Sequence, residues 1–580
     1  MIVRLTCSIF LILGLSGTAD AQTVFVDQGS DWTPDLRQRF YTQDQGARIM
    51  PLAWMRALQT SDGQPFLHDS LDRYGYLPMP GRSQSDLPIG FTTNDYNGTT
   101  AIGMTCSACH TRQIDVNGTG YRIDGGPAIS DFQSFLKDLD DAVLAVLDSD
   151  EAFEAFAEVA LEAEESDSDV AALKAEVEVW SNRFHTLITR SLPDPAWGPA
   201  RLDAVSMIFN RLAGLDIGPE ADDYLIPDNI AVADAPTRYP FLWNAARQDY
   251  TQWPGFAKNG NDLLGLSRNL GEVYGVFAEF RPEHKPGILF DYDYISQNSA
   301  NFDGLKALED WIWDLGAPKW PWTLDQTLAE QGEEIFNLST ELGGCVECHG
   351  KKRGEFRSVT HATYATPIKD VGTDTRECGV LTRTVQTGVL EGASIPVIGK
   401  PLGSRAPAID VLALSVIGGI IQDYTSFRSV QADADAQIGL LMDQSALPPD
   451  YLDEFKDLRG AFPVQEDSLP VDISAVQPCK YEARVLDGIW SSAPYMHNGS
   501  VPTLVEVLKS PEDRVASFVP GPNYDIENVG LAVDQTKFNQ VIETTGCNDL
   551  NSGNSRCGHD YGTSLTEDQK RALLEYLKSI

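Results

Sequence analysis

Two five-residue runs, Cys106-Ser107-Ala108-Cys109-His110 and Cys345-Val346-Glu347-Cys348-His349, place two thiols and an imidazole at a spacing with a specific chemical use. Thiols one helical turn apart add to the two vinyl groups of a haem, and the imidazole that follows then lies under the iron as its proximal ligand. Cys106, Cys109, Cys345 and Cys348 are therefore read as covalent attachment points for two c-type haems, with His110 and His349 as iron ligands. A Cys-x-x-Cys disulfide or half of a zinc site uses the same spacing. Repetition argues against both, because the chain holds only 9 Cys and 8 His among 580 residues and spends six of them on two complete runs.

Function then turns on the sixth position of each iron. A six-coordinate haem passes electrons, whereas an open one binds oxygen, peroxide or another small ligand. For the second run the candidate ligand is His497, in the Pro/Gly-rich segment Ala493-Pro494-Tyr495-Met496-His497-Asn498-Gly499-Ser500-Val501-Pro502. Met496 is the alternative, and a thioether would raise the potential relative to a second imidazole. For the first run the informative fact is an absence, since no His or Met occurs between His110 and His185. His185 lies on an amphipathic stretch and reads as structural. His68 and His284 sit in loops without supporting context, and Met104 is too close to Cys106 to reach over the ring. The distal side of the His110 haem is thus expected to be open, and this is the iron expected to react. Phe241, Trp243, Tyr250 and Trp253 are candidates to wall such a site, with Trp253 preferred as a catalytic residue and plain core packing as the alternative. Trp311, Trp313, Trp320 and Trp322 lie between the two runs, where one of them could help electrons cross.

The compartment follows from the first residues. Arg4, the apolar stretch Ile9 to Leu15 and Ala19-Asp20-Ala21 form the charged, hydrophobic and cleavage regions of a signal peptide over residues 1–21. A mature chain starting at Gln22 is expected in a bacterial periplasm or secreted, and no other stretch is apolar enough to span a bilayer. An oxidising compartment permits the four remaining thiols, Cys378, Cys479, Cys547 and Cys557, to form two disulfides. Cys547 and Cys557 flank a short Asn/Ser/Gly-rich loop, so 547–557 is the expected pair, which leaves 378–479; free buried thiols are the alternative. A formal charge of −40 repels a phosphate backbone and excludes nucleic acid as a partner, while a basic electron donor is compatible with it.

The elements that position these residues are legible in part. Phe132, Phe135, Leu136, Leu139 and Val143 recur at helical spacing, as do Phe153, Phe156 and Ala160, so residues from about 131 to 190 read as an acidic helical insertion. Glu164 to Asp169 is read as a polar turn within it. Leu328, Gly332, Ile335 and Phe336 form one face of a helix before Cys345, and Thr566-x-x-Gln569 is a capping box opening a final helix with Leu573, Leu574, Tyr576 and Leu577. Gly332, Phe336, Leu573 and Tyr576 resemble the crossing of the first and last helices in class I cytochrome c. With no strong strand alternation noted, the expected fold is mainly α. It consists of two class I cytochrome c-like haem domains, over 22–320 and 323–580, with long loops and the acidic insertion.

Several blocks together carry a wider resemblance: Thr105 to Gln113, Tyr121-Arg122-Ile123-Asp124-Gly125-Gly126-Pro127, Pro240-Phe241-Leu242-Trp243, Gln252-Trp253, and Leu486-Asp487-Gly488-Ile489-Trp490 through Leu504. From about residue 45 to the C-terminus the chain resembles the di-haem cytochromes of the rubber oxygenase group. These are relatives of bacterial di-haem cytochrome c peroxidases and of the di-haem enzyme that matures tryptophan tryptophylquinone. The resemblance implies a first haem with His110 proximal and an open or dioxygen-occupied distal side. It implies a second haem held by His349 and His497 that relays electrons. Orthodox di-haem peroxidases carry a displaceable distal His a few turns after the first motif, and this chain has none there. The expected function is an oxygenase- or peroxidase-like redox enzyme that uses dioxygen or peroxide, with a hydrophobic substrate or a redox partner protein as further partner. The alternative is a non-catalytic electron-transfer cytochrome, which requires strong distal ligands on both irons.

Overall fold

The computed structural model describes residues 22–81, 87–96, 98–161, 166–260, 262–354, 363–395, 400–429 and 479–580. The signal-peptide segment 1–21 and Glu164 and Glu165 of the expected polar turn lie outside the described residues, while the rest of that turn is instead the cap, Ser166, and first turn, Asp167 to Asp169, of a helix.

The first Cys-x-x-Cys-His run sits on β-structure. Strand β1 (Gln22–Phe25) runs parallel to β6 (Thr119–Asp124), which pairs antiparallel with β5 (Thr111–Val116). A second sheet orders β2 (Met50–Pro51), β4 (Thr99–Met104) and β3 (Phe91–Tyr96) with β4 in the middle. The single-turn helix carrying Cys106–Cys109 is inserted between the β3–β4 and β5–β6 hairpins. Asn117 and Gly118 turn β5 into β6 with φ of 51° and 78°, the two left-handed positions that a two-residue hairpin turn requires.

Helices pack around these hairpins. We label them α1 (Pro34–Thr42), α2 (Leu52–Ala57), α3 (Cys106–Cys109), α4 (Phe132–Leu147), α5 (Asp150–Ala160) and α6 (Asp167–Ser191). The acidic insertion is α4–α6, as its periodicity predicts. Asp131, Ser149 and Ser166 cap the three N-termini, and Phe132, Phe135, Leu136, Leu139, Val143, Phe153 and Phe156 are buried while the helices' acids, Asp140 excepted, face out. Helix α7 (Ala204–Arg211) packs on α8 (Asp262–Gly275), which also packs on α9 (Phe302–Ile312).

The second run follows α10 (Gln326–Phe336) and forms α11 (Val346–His349); α12 (Arg376–Val380), α13 (Ala408–Ser429) and the closing α14 (Glu567–Ser579) come after it. The Thr566/Gln569 capping box is present at the start of α14. Helices α10 and α14 cross where Gly332 meets Ala572 and Tyr576, and the Phe336 and Tyr576 rings lie 5.2 Å apart. A Cβ on Gly332 would stand 2.0 Å from the Ala572 carbonyl oxygen, so only glycine permits this approach. Both expected disulfides, Cys378–Cys479 and Cys547–Cys557, are formed. No helix among the described residues is long and apolar enough to cross a membrane.

The expected fold class requires correction. Only 39% of the structure is helical and 15% is strand, spread over many small sheets, and a pair of class I cytochrome c domains is not what is seen. The α10–α14 crossing has no counterpart at the first run, which is approached by a strand and left by a strand. Much of the remainder is irregular chain whose carbonyls are satisfied by buried arginines: Arg112 donates to Ala493 and Pro127, Arg201 to Trp197 and Asn498, and Arg514 to Arg556 and Gly558. Such side-chain bonding replaces the regular ladders that burial of backbone otherwise demands. One apolar core runs from Val26, Trp32 and Phe40 to Leu573 and Leu577 at the other end of the chain.

Candidate functional site

Each run opens onto its own cavity. At the first, α3 and the residue that follows it present Cys106, Cys109 and His110 to a cavity walled by Phe132, Val205, Ile208 and Phe241. His110 Nδ1 donates to the Pro240 carbonyl at 2.8 Å. A carbonyl only accepts, so the hydrogen is on Nδ1 and the Nε2 lone pair is left free for a metal. Burial pushes His110 down to about 4, which keeps the ring neutral as a ligand must be.

At the second, Cys345 and His349 border a cavity walled by Leu486, Ile489, Leu504 and Leu573. His349 Nδ1 donates to the Arg484 carbonyl at 2.6 Å, the same device as at His110, and burial lowers its pKa. The two imidazoles are also linked to each other. Arg484, whose carbonyl holds His349, donates through Nη1 to the carbonyl of Phe241 at 3.3 Å, and Phe241 follows the Pro240 that holds His110.

All four run cysteines are free thiols. Burial pushes Cys106, Cys109 and Cys345 up to about 12, so these thiols are protonated and ill suited to dithiol–disulfide exchange. Among the described residues no group of three or more His, Cys, Asp or Glu gathers as a metal site would. Paired thiols and neutral imidazoles anchored at Nδ1, each facing a cavity, fit a covalently held haem.

The cavities differ in what faces the imidazole anchored at Nδ1. The second is lined by His497, Met496 and a third imidazole, His559. The His349 and His559 rings stand 6.2 Å apart, centre to centre. Two imidazole–metal bonds of about 2 Å in line, plus the ring radii, give a separation of roughly 6 Å. The His497 ring is buried and stacked face to face on Tyr481 at 3.8 Å. Burial brings both His497 and His559 down to about 3. The sequence reading missed His559 because it follows Cys557 in a loop; its place beside His349 becomes visible only once the 547–557 bridge and α14 are built.

The first cavity has no imidazole besides His110 among the described residues that line it. His185 is away from it on α6, where its Nδ1 lies 2.8 Å from Asp140 Oδ2, and His68 and His284 are exposed or at the surface. Met104 and Met207 do line it, and Met207 was not considered from sequence. One side of the cavity is polar. Gln252, itself held at a φ of 64°, donates to Glu272 Oε1 at 2.9 Å, and Arg268 stands one turn before Glu272 on α8 in an ion pair with Glu309 of α9. Burial raises the pKa of Glu272, with Arg268 opposing it.

Trp253 lines both cavities, as does Phe241. Its indole N–H donates to the Arg238 carbonyl at 3.0 Å, and the guanidinium groups of Arg238 and Arg484 lie 4.7 and 4.9 Å from its ring. Trp243 stacks behind Phe241 at 4.8 Å, and Tyr250 lines neither cavity. Trp320 and Trp322 cluster instead with Trp490, while Trp311 and Trp313 stand outside both cavities.

These features fit a chain with a cytochrome c-like domain, and such a domain implies a covalently bound haem. Residues 480–519, which include Arg484 and His497, match the family described as RoxA-like, cytochrome c-like. The chain is 26% identical over 599 aligned positions to the uncharacterized protein y4iJ of Sinorhizobium fredii (strain NBRC 101917 / NGR234), covering 95% of this chain and 92% of the relative. It is 37% identical over 402 positions to the uncharacterized protein y4iM of the same organism, covering 68% of this chain and 70% of the relative, and it belongs to the family of that protein.

Proposed function

We propose that the protein is a di-haem redox enzyme, exported to an oxidising compartment, that reacts with peroxide or dioxygen in the His110 cavity and relays electrons through the His349 cavity. The observation that carries this reading is the asymmetry of the cavities: a second imidazole stands 6.2 Å from His349, and none faces His110 among the described lining residues. A haem bound in each cavity supplies an iron that exchanges single electrons. The chain supplies the rest. Cys106/Cys109 and Cys345/Cys348 would tether the two groups, His110 would hold the iron of the first, and His349 with His559 would hold the iron of the second. His497 then stiffens the wall through its stacking on Tyr481. Trp253, common to both cavities, gives electrons a short aromatic route between them.

Among oxidants, the polar side of the first cavity favours peroxide. Breaking its O–O bond requires a proton to leave one oxygen and reach the other. Glu272 is held toward its protonated form by burial, is positioned by Gln252, and has the cation Arg268 one turn away to favour developing negative charge. Disulfides at 378–479 and 547–557 support the export reading.

The test is spectroscopic and kinetic. The oxidised protein is expected to contain two haems per chain, one low-spin and one high-spin in electron paramagnetic resonance, with the high-spin signal alone lost on adding cyanide or peroxide. Turnover is expected with peroxide and a reduced donor, and is compared with dioxygen plus an unsaturated hydrocarbon. Two low-spin haems indifferent to both additions would leave only an electron-transfer cytochrome.

A further inference from the structure

The wall between the cavities carries cations without enough anions. Arg238 and Arg484 each line both cavities and are 5% and 6% exposed. Arg238 gives Nε to the Met496 carbonyl and Nη1 to its neighbour Tyr239, and among the described residues it has no carboxylate partner. Arg484 pairs through Nε with Glu482 and gives Nη1 to Phe241. The Nη2 groups of both make no hydrogen bond among the described residues. A guanidinium has five donors, and an unpaired buried charge is strongly unfavourable. This is the more notable in a chain of net charge −40, where carboxylates are abundant everywhere else.

Nearby acids do not balance the wall. Burial pushes Glu482 up to about 7 despite its pairing with Arg484, and it raises Glu272 and Glu377, which line the first cavity. Burial and the proximity of Arg484 together pull Arg238 down to about 9, a penalty that a resident anion would remove.

We propose that Arg238 and Arg484 form one shared anion-binding wall that receives carboxylates entering from both cavities, namely the propionates of the two prosthetic groups. Arg–carboxylate pairing is bidentate and orients what it binds, so the wall would fix how each ring is seated as well as neutralise it. The proposal rests on the two-haem reading, and one guanidinium pair would then set the electrostatics of both irons.

The test uses the haem-loaded full chain with Arg238→Met, Arg238→Gln and Arg238→Lys, haem content being measured on every sample. A positive charge favours the reduced state of a nearby iron. The Met and Gln variants are therefore expected to lower both midpoint potentials, by a factor of about ten in each one-electron equilibrium, or about 59 mV. The Lys variant is expected to retain most of the wild-type values. Gln keeps donors for the Met496 and Tyr239 carbonyls and carries the test if the Met variant does not mature. Two haems with both potentials unmoved would overturn the proposal, and movement of only one would overturn the sharing. Potentials of the wild type that shift with added chloride or phosphate at constant ionic strength would assign the wall to a diffusible anion, again against the proposal. A single haem per chain would refute the two-haem reading itself.

Discussion

His559 and His497 show how far a single residue's role depends on what its ring already touches. His497 and His559 line the same cavity, His497 stacked on Tyr481 at 3.8 Å and His559 with its ring centre 6.2 Å from that of His349. His559→Ala is expected to convert the low-spin haem to high spin, and His497→Ala to leave two haems with the original spin states but a loosened second site. Visible and electron paramagnetic resonance spectra of the two variants check this, and the reverse result would make His497 the ligand. At the first cavity, Glu272→Gln retains the Gln252 contact but removes the proton. It is expected to slow the reaction with peroxide by roughly 10²- to 10⁴-fold with haem content unchanged, read by stopped-flow absorbance.

The elements account for what was legible in the sequence and what was not. The capping box at Thr566 and the phenylalanine spacing of α4 and α5 are local patterns, set by residues three or four apart, and each is found; the tight α10–α14 crossing joins remote residues but announces itself in the Gly332/Phe336 and Leu573/Tyr576 spacings. The β-scaffold of the first run was overlooked although it announces itself: Asn97-Gly98 and Asn117-Gly118 on either side of Cys106 are the dipeptides of two-residue hairpin turns. The strands they join are only six residues long, and that of β4 begins with exposed threonines, so alternation is weak. His559, Met207 and the Gln252–Glu272 pair were illegible for a different reason, since each reaches its cavity from an element remote in sequence from the run it serves. The crossing makes a direct prediction. Gly332→Ala forces a methyl against the Ala572 carbonyl and is expected to lose roughly 1–3 kcal/mol, measured as a lowered unfolding midpoint.

At the scale of the whole molecule, stability and acidity are coupled. The 378–479 bridge closes a separation of 101 residues and the 547–557 bridge one of 10, so loop entropy makes the first worth about 4.7 kcal/mol and the second roughly 2.7. Replacing Cys378 and Cys479 by Ser is thus expected to destabilise more than the same change at Cys547 and Cys557, as read by denaturant unfolding. Buried carboxyls act in the opposite sense from surface ones. Asp203, which caps α7 and also accepts from Ala235 N–H, is pushed by burial from 3.8 up to about 6. Folding therefore favours its protonated form, and its contribution is complete below about pH 4 and is lost as pH rises through about 6, a change of about 3 kcal/mol. Asp203→Asn keeps a good cap, so unfolding midpoints between pH 4 and 6 are expected to slope less in that variant than in the parent. The link from Pro240 through Phe241 to Arg484 bears on experiments rather than on stability. Because the carbonyls that orient His110 and His349 belong to one bonded frame, deleting either tether disturbs the bearing of the other ring. Absorption bands assigned by subtracting a one-site variant from the parent will carry a residue from the surviving site, and a faithful assignment has to let both components vary.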